Sequence, residues 1–188
     1  MNRSGKLKTL QEYLINEKTV LLTGEYDDFG KLCTRVIEGS DTFLVALKPM
    51  QVINNTLQLL GSNFHSVRET SKQILGDVHM CPIKVNCNLG IWLFPTKSHN
   101  NEFCVWFSLM HVKKTKPLGI RRTEVYLSYH HTFIIEMKES SFNHKRQKAE
   151  DLREAMLKNT QSPLTFYLEP RKGFCICEDE GRNPYKIK

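Results

Sequence analysis

The sequence predicts a single α+β domain, a β-rich antiparallel sheet with two or three packed helices. A chain of 188 residues, 40% of them hydrophobic, is long enough to bury about 70% of its unfolded surface around one core. Most apolar runs are short and separated by turn residues, which is typical of antiparallel strands. Three segments instead repeat apolar residues every three or four positions, as helices do.

The first 47 residues predict four short strands of an antiparallel meander. Asn16, the segment 27–30 and the segment 39–41 are rich in Asn, Asp, Gly and Ser, which favour turns. The apolar and β-branched runs between these turns define the predicted strands, at 12–15, 19–23, 32–38 and 42–47.

Two helices are predicted next. Lys48-Pro49 breaks the strand pattern, and apolar residues then recur with helical spacing from Met50 to Leu60, before Gly61. A second helix spans 64–75 and ends at Gly76. On this second helix, one stripe is basic and the opposite side is packable; the stripe consists of His65, Arg68 and Lys72.

The remainder of the chain predicts more strands and one longer helix. The strands are expected at 83–85, 90–94, 104–112, 123–128 and 132–137, the last two forming a hairpin around 129–131. The helix is expected at 144–158, with Ala149, Leu152, Ala155 and Met156 as its buried face and Asn159 as its stop. Beyond it, 164–168 predicts a strand and the last fifteen residues a loosely docked tail. The expected division is a domain over 1–160 and a C-terminal segment over 161–188.

The charge of the chain favours an anionic partner. The formal net charge is +7 and the isoelectric point is near 9.1. Residues 65–125 carry nine basic and four acidic side chains, so they contribute +5 of the +7. The longest apolar stretches, 43–47 and 103–112, are far shorter than the roughly 20 residues of a membrane helix. No apolar signal core follows the basic start, so we expect a cytoplasmic protein without a membrane partner.

The sharpest basic cluster is the run 113–116 followed by Arg121 and Arg122. It is predicted to be a loop of about ten residues between two strands, and it contains Pro117 and Gly119. A loop of this composition suits the phosphates of DNA, and an arginine on it can enter a narrow A·T minor groove. The alternative is an ordinary solvated run of charges. Folding would have to bring the cluster together with the basic stripe of the second helix and with Lys97. The candidate DNA contacts are Arg68, Lys72, Lys97, Lys113, Lys114, Lys116, Arg121 and Arg122.

Metal binding and catalysis are the weaker interpretations. The six cysteines are expected to be reduced thiols, and Cys175 and Cys177 form a C-x-C with no matching second pair. One alternative is a zinc site formed by His79, Cys81 and Cys87 together with His65, His99 or His111. Another is a catalytic thiol, Cys104 or Cys81, activated by His111 or His79. Packed or solvated side chains explain all of them more simply, and no glycine-rich nucleotide loop is present. We expect no cofactor, no metal and no catalysis.

Aromatic residues near the basic segments allow a further alternative, a protein that binds single-stranded nucleic acid, since bases stack on exposed rings. Their alternation along strands makes core packing the simpler interpretation. The aromatic residues concerned are Phe64, Trp92, Phe94, Trp106 and Phe107.

Four motifs in order resemble the ComK family of competence transcription factors from Gram-positive bacteria. They are Lys48-Pro49 through Gly61-Ser62, the L-F-P-T run at 93–96, the C-x-W run at 104–106 and His111-Val112-Lys113. The resemblance extends over about 12–158. It implies a cytoplasmic, nucleoid-associated activator that recognises paired A·T-rich boxes of double-stranded DNA largely through the minor groove, assembles as dimers and tetramers, and bends DNA.

The chain departs from the family pattern at two places. The family's Gly-Arg-Lys run corresponds here to Ser66-Val67-Arg68, so one basic position is kept. Arg121 and Arg122 stand where the family has acidic residues, so any role for them belongs to this sequence.

A short motif near the C-terminus resembles the F-x-L-x-P segment by which an adaptor delivers family members to a Clp protease. Its residues are Phe166, Leu168 and Pro170. The alternative is an edge strand that ends at the proline. The alternative to the activator is therefore a non-catalytic protein-interaction regulator, whose basic face meets an acidic protein, or a nonspecific nucleic-acid binder that uses the same face. An enzyme is the third hypothesis.

Overall fold

The fold is described from a computed structural model that covers residues 7–76, 78–161, 176–178 and 185–187. The α+β class and the β-rich content predicted from the sequence are confirmed. The strands are β1 (Thr9–Leu10), β2 (Thr19–Tyr26), β3 (Leu32–Glu38), β4 (Asp41–Val45), β5 (Ile83–Asn86), β6 (Ile91–Pro95), β7 (Trp106–Ser108), β8 (Val112–Pro117), β9 (Thr123–Leu127), β10 (Thr132–Ile135), β11 (Ile176–Glu178) and β12 (Tyr185–Ile187). The helices are α1 (Pro49–Leu59), α2 (Phe64–Leu75) and α3 (Glu139–Gln161).

The main sheet has seven strands in the order β1-β4-β3-β2-β7-β6-β5. Its pairs are antiparallel except that β1 runs parallel to β4, so the sheet is mixed rather than purely antiparallel. A smaller antiparallel sheet has the order β10-β9-β8, and β11 pairs with β12.

The main sheet is buried on both faces, which explains why β6 is apolar at every position. Because side chains alternate along a strand, Ile91 and Leu93 join a core with α1 and α2, while Trp92 and Phe94 join a second core. The second core is completed by the small sheet and α3, through Val125, Leu127, Ile135, Phe142, Ala149 and Leu152. The small sheet and α3 are therefore fixed to one face of the main sheet.

Several predicted boundaries were wrong. The segment 12–15 is not a strand, because side chains hold it instead of a neighbouring strand: Tyr13 donates a hydrogen bond to Glu38, and the Ile15 amide donates to Thr56 Oγ1 at 3.1 Å. The predicted strand 104–112 is broken by a 3₁₀ turn at Leu109–His111.

The predicted third helix was too short at both ends. Helix α3 extends from Glu139 to Gln161, through the predicted stop at Asn159. Phe142, placed before the helix by the sequence pattern, is buried against Phe94 and Phe107. In the predicted tail, β11 and β12 are strands, and the predicted strand 164–168 lies outside the described residues. No helix in the described part of the chain is both long and apolar enough to cross a membrane.

Candidate nucleic-acid interface

The predicted DNA contacts fall on two separate groups of elements. The ribbon surface is the hairpin β8–β9 with its connecting loop 118–122, and it carries Lys113, Lys114, Lys116, Arg121 and Arg122. The helix surface is formed by α2, the loop 78–81, the turn between β6 and β7 and the first part of α3, and it carries Arg68, Lys72 and Lys97.

The ribbon lysines lie on a strand, so the prediction of a loop over 113–116 was wrong. Thr115 pairs with the buried Val125 on β9 and points inward, while Lys114 and Lys116 occupy the alternate positions and are exposed. Lysine is a poor strand former, yet pairing and inward packing override propensity here. The outer face of the ribbon therefore presents Lys114 and Lys116, and the exposed Lys113 lies at the bulge beside them; these three residues are the lysine row.

Helix α3 supports the ribbon from its inner side. Thr115 Oγ1 donates a hydrogen bond of 2.6 Å to Glu139, and Asn143 Nδ2 donates one of 3.2 Å to Thr115 Oγ1. Both partners lie in the first turns of α3. These bonds tie the middle of β8 to the helix.

Most cations of the ribbon surface form no ion pair among the described residues, and Glu124 lies directly across the ribbon from Lys116. Within the described residues, Lys113, Lys114, Lys116 and Arg121 form no ion pair. Lys113 Nζ donates to a backbone carbonyl at 3.2 Å. Arg122 differs, since its Nε lies 3.0 Å from Glu136 in an exposed ion pair. The lysine row and Arg121 thus offer positive charge directly to solvent.

The tip of the ribbon is a five-residue loop. The Leu118 amide donates a hydrogen bond of 2.8 Å to the Arg122 carbonyl, which closes the loop. Gly119 has φ of 82°, in the left-handed region that glycine adopts without strain. Ile120, at the apex, leaves 82% of its surface exposed.

The helix surface surrounds two cavities. Arg68 and Lys72 line the first, of about 470 Å³, together with Ser98 and His99 from the β6–β7 turn. Glu69 pairs with Lys72 at 3.2 Å and with Arg68 at 3.9 Å, so it shares its charge between them. The exposed Lys97 directly precedes Ser98. The structure therefore brings together three of the predicted contacts.

The second cavity, of about 530 Å³, adds residues that the sequence analysis missed. It shares Val78, His79 and Met80 with the first cavity, so the two lie on either side of this loop. Its other lining residues come from α3 and are Ser140, Ser141, His144, Lys145 and Lys148. A spacing of three residues between two lysines was visible in the sequence, but nothing there indicated that α3 meets the loop 78–80.

Lys145 lacks a strong acceptor. Its Nζ lies 3.2 Å from the Met80 sulfur, a weak acceptor for an ammonium group. Burial lowers the pKa of Lys145. Burial, and then the nearby Arg68, likewise lowers the pKa of His99. Both shifts reflect partial desolvation, and the shift of His99 also reflects a neighbouring cation, so an anion would be stabilised at this surface.

The aromatic alternative was wrong for four of its five residues. Trp92, Phe94, Trp106 and Phe107 are buried in the two cores and are inaccessible to bases, so the simpler core interpretation is confirmed. Phe64 is half-buried, with its ring 6.0 Å from that of Trp106.

The cysteines have the surroundings of packed thiols. Cys104 and Cys81 donate to the backbone carbonyls of Lys97 and Val78, and burial raises the pKa of each thiol. Neither is hydrogen-bonded to a histidine in the described part of the chain. Across the described ranges, no three His, Cys, Asp or Glu side chains group as metal ligands would.

Comparison with known proteins identifies the family. The family model of the ComK protein matches residues 10–161, and the chain therefore belongs to the ComK family. The chain is also similar to the competence transcription factor of Bacillus subtilis strain 168, with 31% identity over 173 residues, which covers 92% of this chain and 88% of that protein. The comparison with solved structures gave no match.

Proposed function

We propose that the chain is a sequence-selective DNA-binding activator of competence genes. It recognises paired A·T-rich boxes of double-stranded DNA largely through the minor groove, acts as a dimer or tetramer on DNA, and works in the cytoplasm at the nucleoid. It carries out no catalysis and uses no cofactor. The observation that carries the proposal is the row of exposed lysines without ion pairs, among the described residues, on the ribbon surface of a ComK family chain.

The ribbon surface supports phosphate binding through its electrostatics. Each phosphate that a lysine neutralises releases condensed counterions, and this release supplies most of the nonspecific affinity for DNA. Free lysines gain the full benefit, because no internal ion pair has to be broken first. Other proteins place β-strands in the major or the minor groove of the duplex, so a ribbon is a known means of contact with DNA.

The helix surface supplies a second set of contacts. Arg68, Lys72 and Lys97 bind phosphates there, together with Lys145 and Lys148 across the loop 78–80. Because all of these cations except the exposed Lys97 are partly buried around two cavities, they hold a phosphate in a defined position. Contacts on both surfaces fix the register of the protein on the duplex.

The C-terminal segment has a separate role in this proposal. Residues 1–160 bind DNA, and 161–188 offers an adaptor of a Clp protease the segment that contains Phe166, Leu168 and Pro170. All three lie outside the described residues. Replacing the three by alanine should abolish adaptor binding in a pull-down and leave DNA binding unchanged.

Fluorescence anisotropy tests DNA binding. The purified chain is titrated with a duplex that carries two A·T boxes and with a G·C-substituted control, at about 0.15 M salt and over a salt series. If about five of the proposed cations contact phosphates at the same time, the log-log slope is between about −4 and −5. A minor-groove-binding drug should compete for the A·T duplex.

The outcomes separate the hypotheses. Selective, drug-sensitive and salt-dependent binding supports the activator. Equal affinity for both duplexes reduces the protein to a nonspecific nucleic-acid binder. A slope near zero contradicts DNA binding altogether, and leaves a regulator whose basic face meets an acidic protein.

A further inference from the structure

The apex of the ribbon carries an apolar side chain with no structural role. Ile120 is 82% exposed, and it belongs to neither hydrophobic core. Single exposed apolar residues are common on protein surfaces, so exposure alone indicates little. The charges around Ile120 supply the second observation.

A second hairpin tip in the same chain shows how much those charges matter. Between β2 and β3, the Asp27 amide donates to the Lys31 carbonyl at 2.9 Å, so this five-residue loop closes with the same pattern as 118–122. Its third residue, Phe29, is 89% exposed, just as Ile120 is the exposed third residue of the ribbon tip. Phe29 follows Asp27 and Asp28, whose carboxylates repel DNA.

The ribbon tip carries the opposite charge. Ile120 is followed by Arg121 and Arg122, and the strand that leads into the loop carries the lysine row. When these lysines bind phosphates, the end of the hairpin is brought to a groove of the duplex. An apolar side chain flanked by arginines matches the chemistry of minor-groove proteins that insert Ile, Leu, Phe, Met or Pro between base pairs.

We propose that Ile120 is a wedge that enters a base step of A·T-rich DNA from the minor groove, with Arg121 in the groove beside it. The inference rests on the proposed function and adds to it the residue that deforms the duplex. The wedge separates two stacked base pairs and kinks the duplex by about 20–90°. Flexible TA steps should accept it most readily.

The test uses a duplex with 2-aminopurine, a fluorescent adenine analogue whose emission rises when it is unstacked, at the TA step of one A·T box. We expect the wild-type chain to raise the emission and Ile120→Ala to lose most of the rise, with affinity lower by about three- to tenfold. Ile120→Met keeps an apolar wedge and should retain most of the signal. The salt slope should stay unchanged, because no charge is removed.

Phe29→Ala is the matched control, since it removes an equally exposed apolar side chain from the tip with acidic neighbours. It should behave like the wild type in both emission and affinity. Circular dichroism melting should show no change in any of these variants, since both side chains project into solvent.

The wedge is overturned if the wild-type chain binds the A·T duplex without raising the emission, or if Ile120→Ala and Phe29→Ala give equal signals. In either case salt-dependent A·T binding persists and the proposed function stands. If the wild-type chain does not bind duplex DNA, the proposed function and the wedge both fail. Energy transfer between labels on the two ends of the duplex provides a second readout of the wedge in the bound complex. The Ile120→Ala complex should have a longer end-to-end distance than the wild-type complex.

Discussion

The two basic surfaces of this chain differ in how the fold treats their charges. On the ribbon surface, the lysines are exposed and unpaired among the described residues. On the helix surface, Arg68 and Lys72 share Glu69, Lys148 lies 3.8 Å from Asp151, and Lys145 is half-buried. Clusters of Lys and Arg that look alike in the sequence therefore have different electrostatic roles. In the proposed function, the first surface supplies long-range attraction to DNA, whereas the second positions a phosphate at close range.

The largest expected effect comes from removing the lysine row. The triple variant Lys113→Gln, Lys114→Gln and Lys116→Gln should reduce the magnitude of the salt slope of DNA binding by about 2.7, since each phosphate contact contributes about 0.9. Anisotropy over a salt series measures it. The matched control replaces three exposed lysines elsewhere with glutamine, at Lys31, Lys138 and Lys158. Equal slopes for the two triple variants would show that only net charge matters.

The two arginines of the ribbon tip should differ from each other. Arg121→Gln should lower the slope by about 0.9 and weaken the preference for A·T over G·C duplexes, because an arginine in a narrow groove reads its width. Arg122→Gln should have a smaller effect, since Arg122 already pairs with Glu136. Competition between the two duplexes measures the preference. A larger loss for Arg122→Gln would contradict this order.

Within α3, one lysine should contribute to binding and another should not. Lys145→Gln should reduce the magnitude of the salt slope by about 0.9. It should weaken binding to A·T and G·C duplexes equally, as expected when a phosphate contact is lost. Lys158→Gln makes the same charge change near the far end of the helix and should leave the slope unchanged. Thermal melting should show no loss for Lys145→Gln, whose ammonium group has only a thioether as its acceptor. A loss of stability without a change in slope would assign Lys145 a structural role.

The smallest effect is a pH dependence confined to the helix surface. Burial, and then the nearby Arg68, lowers the pKa of His99 from its ordinary value in the free protein, which favours the neutral imidazole. A phosphate nearby favours the charged form, so binding takes up a proton and affinity should rise by about twofold as pH falls from 8 to 6. His99→Gln should flatten this dependence in anisotropy measured at both pH values. If His99→Gln leaves the pH dependence of the affinity unchanged, another histidine is its source.

Some parts of the fold were predictable because the signals are local. Helix α2 has the predicted bounds, since Asn63 accepts a hydrogen bond from the Ser66 amide at 3.0 Å and caps its start, and Gly76 follows its end with φ of 82°. The basic stripe of Arg68 and Lys72 followed from helical spacing alone. The same local reasoning placed the hairpin β9–β10 nearly correctly.

Other parts depend on contacts between distant segments. The strand β8 contains three lysines, and it pairs with β9 while Thr115 bonds to Glu139 and Asn143, which are 24 and 28 residues further along. Lys145 joins the helix surface through Met80, 65 residues earlier. No propensity or periodicity encodes such a pairing, so the composition of the helix surface emerges only from the packed structure.

Helix α3 fixes the distance between the ribbon surface and the helix surface. Glu139 holds the ribbon and Lys148 lines the second cavity, and nine residues of α-helix separate them by about 14 Å. That spacing is shorter than one turn of B-form DNA, about 34 Å, so a single duplex turn spans both. Because a packed helix does not stretch, the two surfaces are held at a fixed separation, and a duplex in contact with both has to present its phosphates at that spacing.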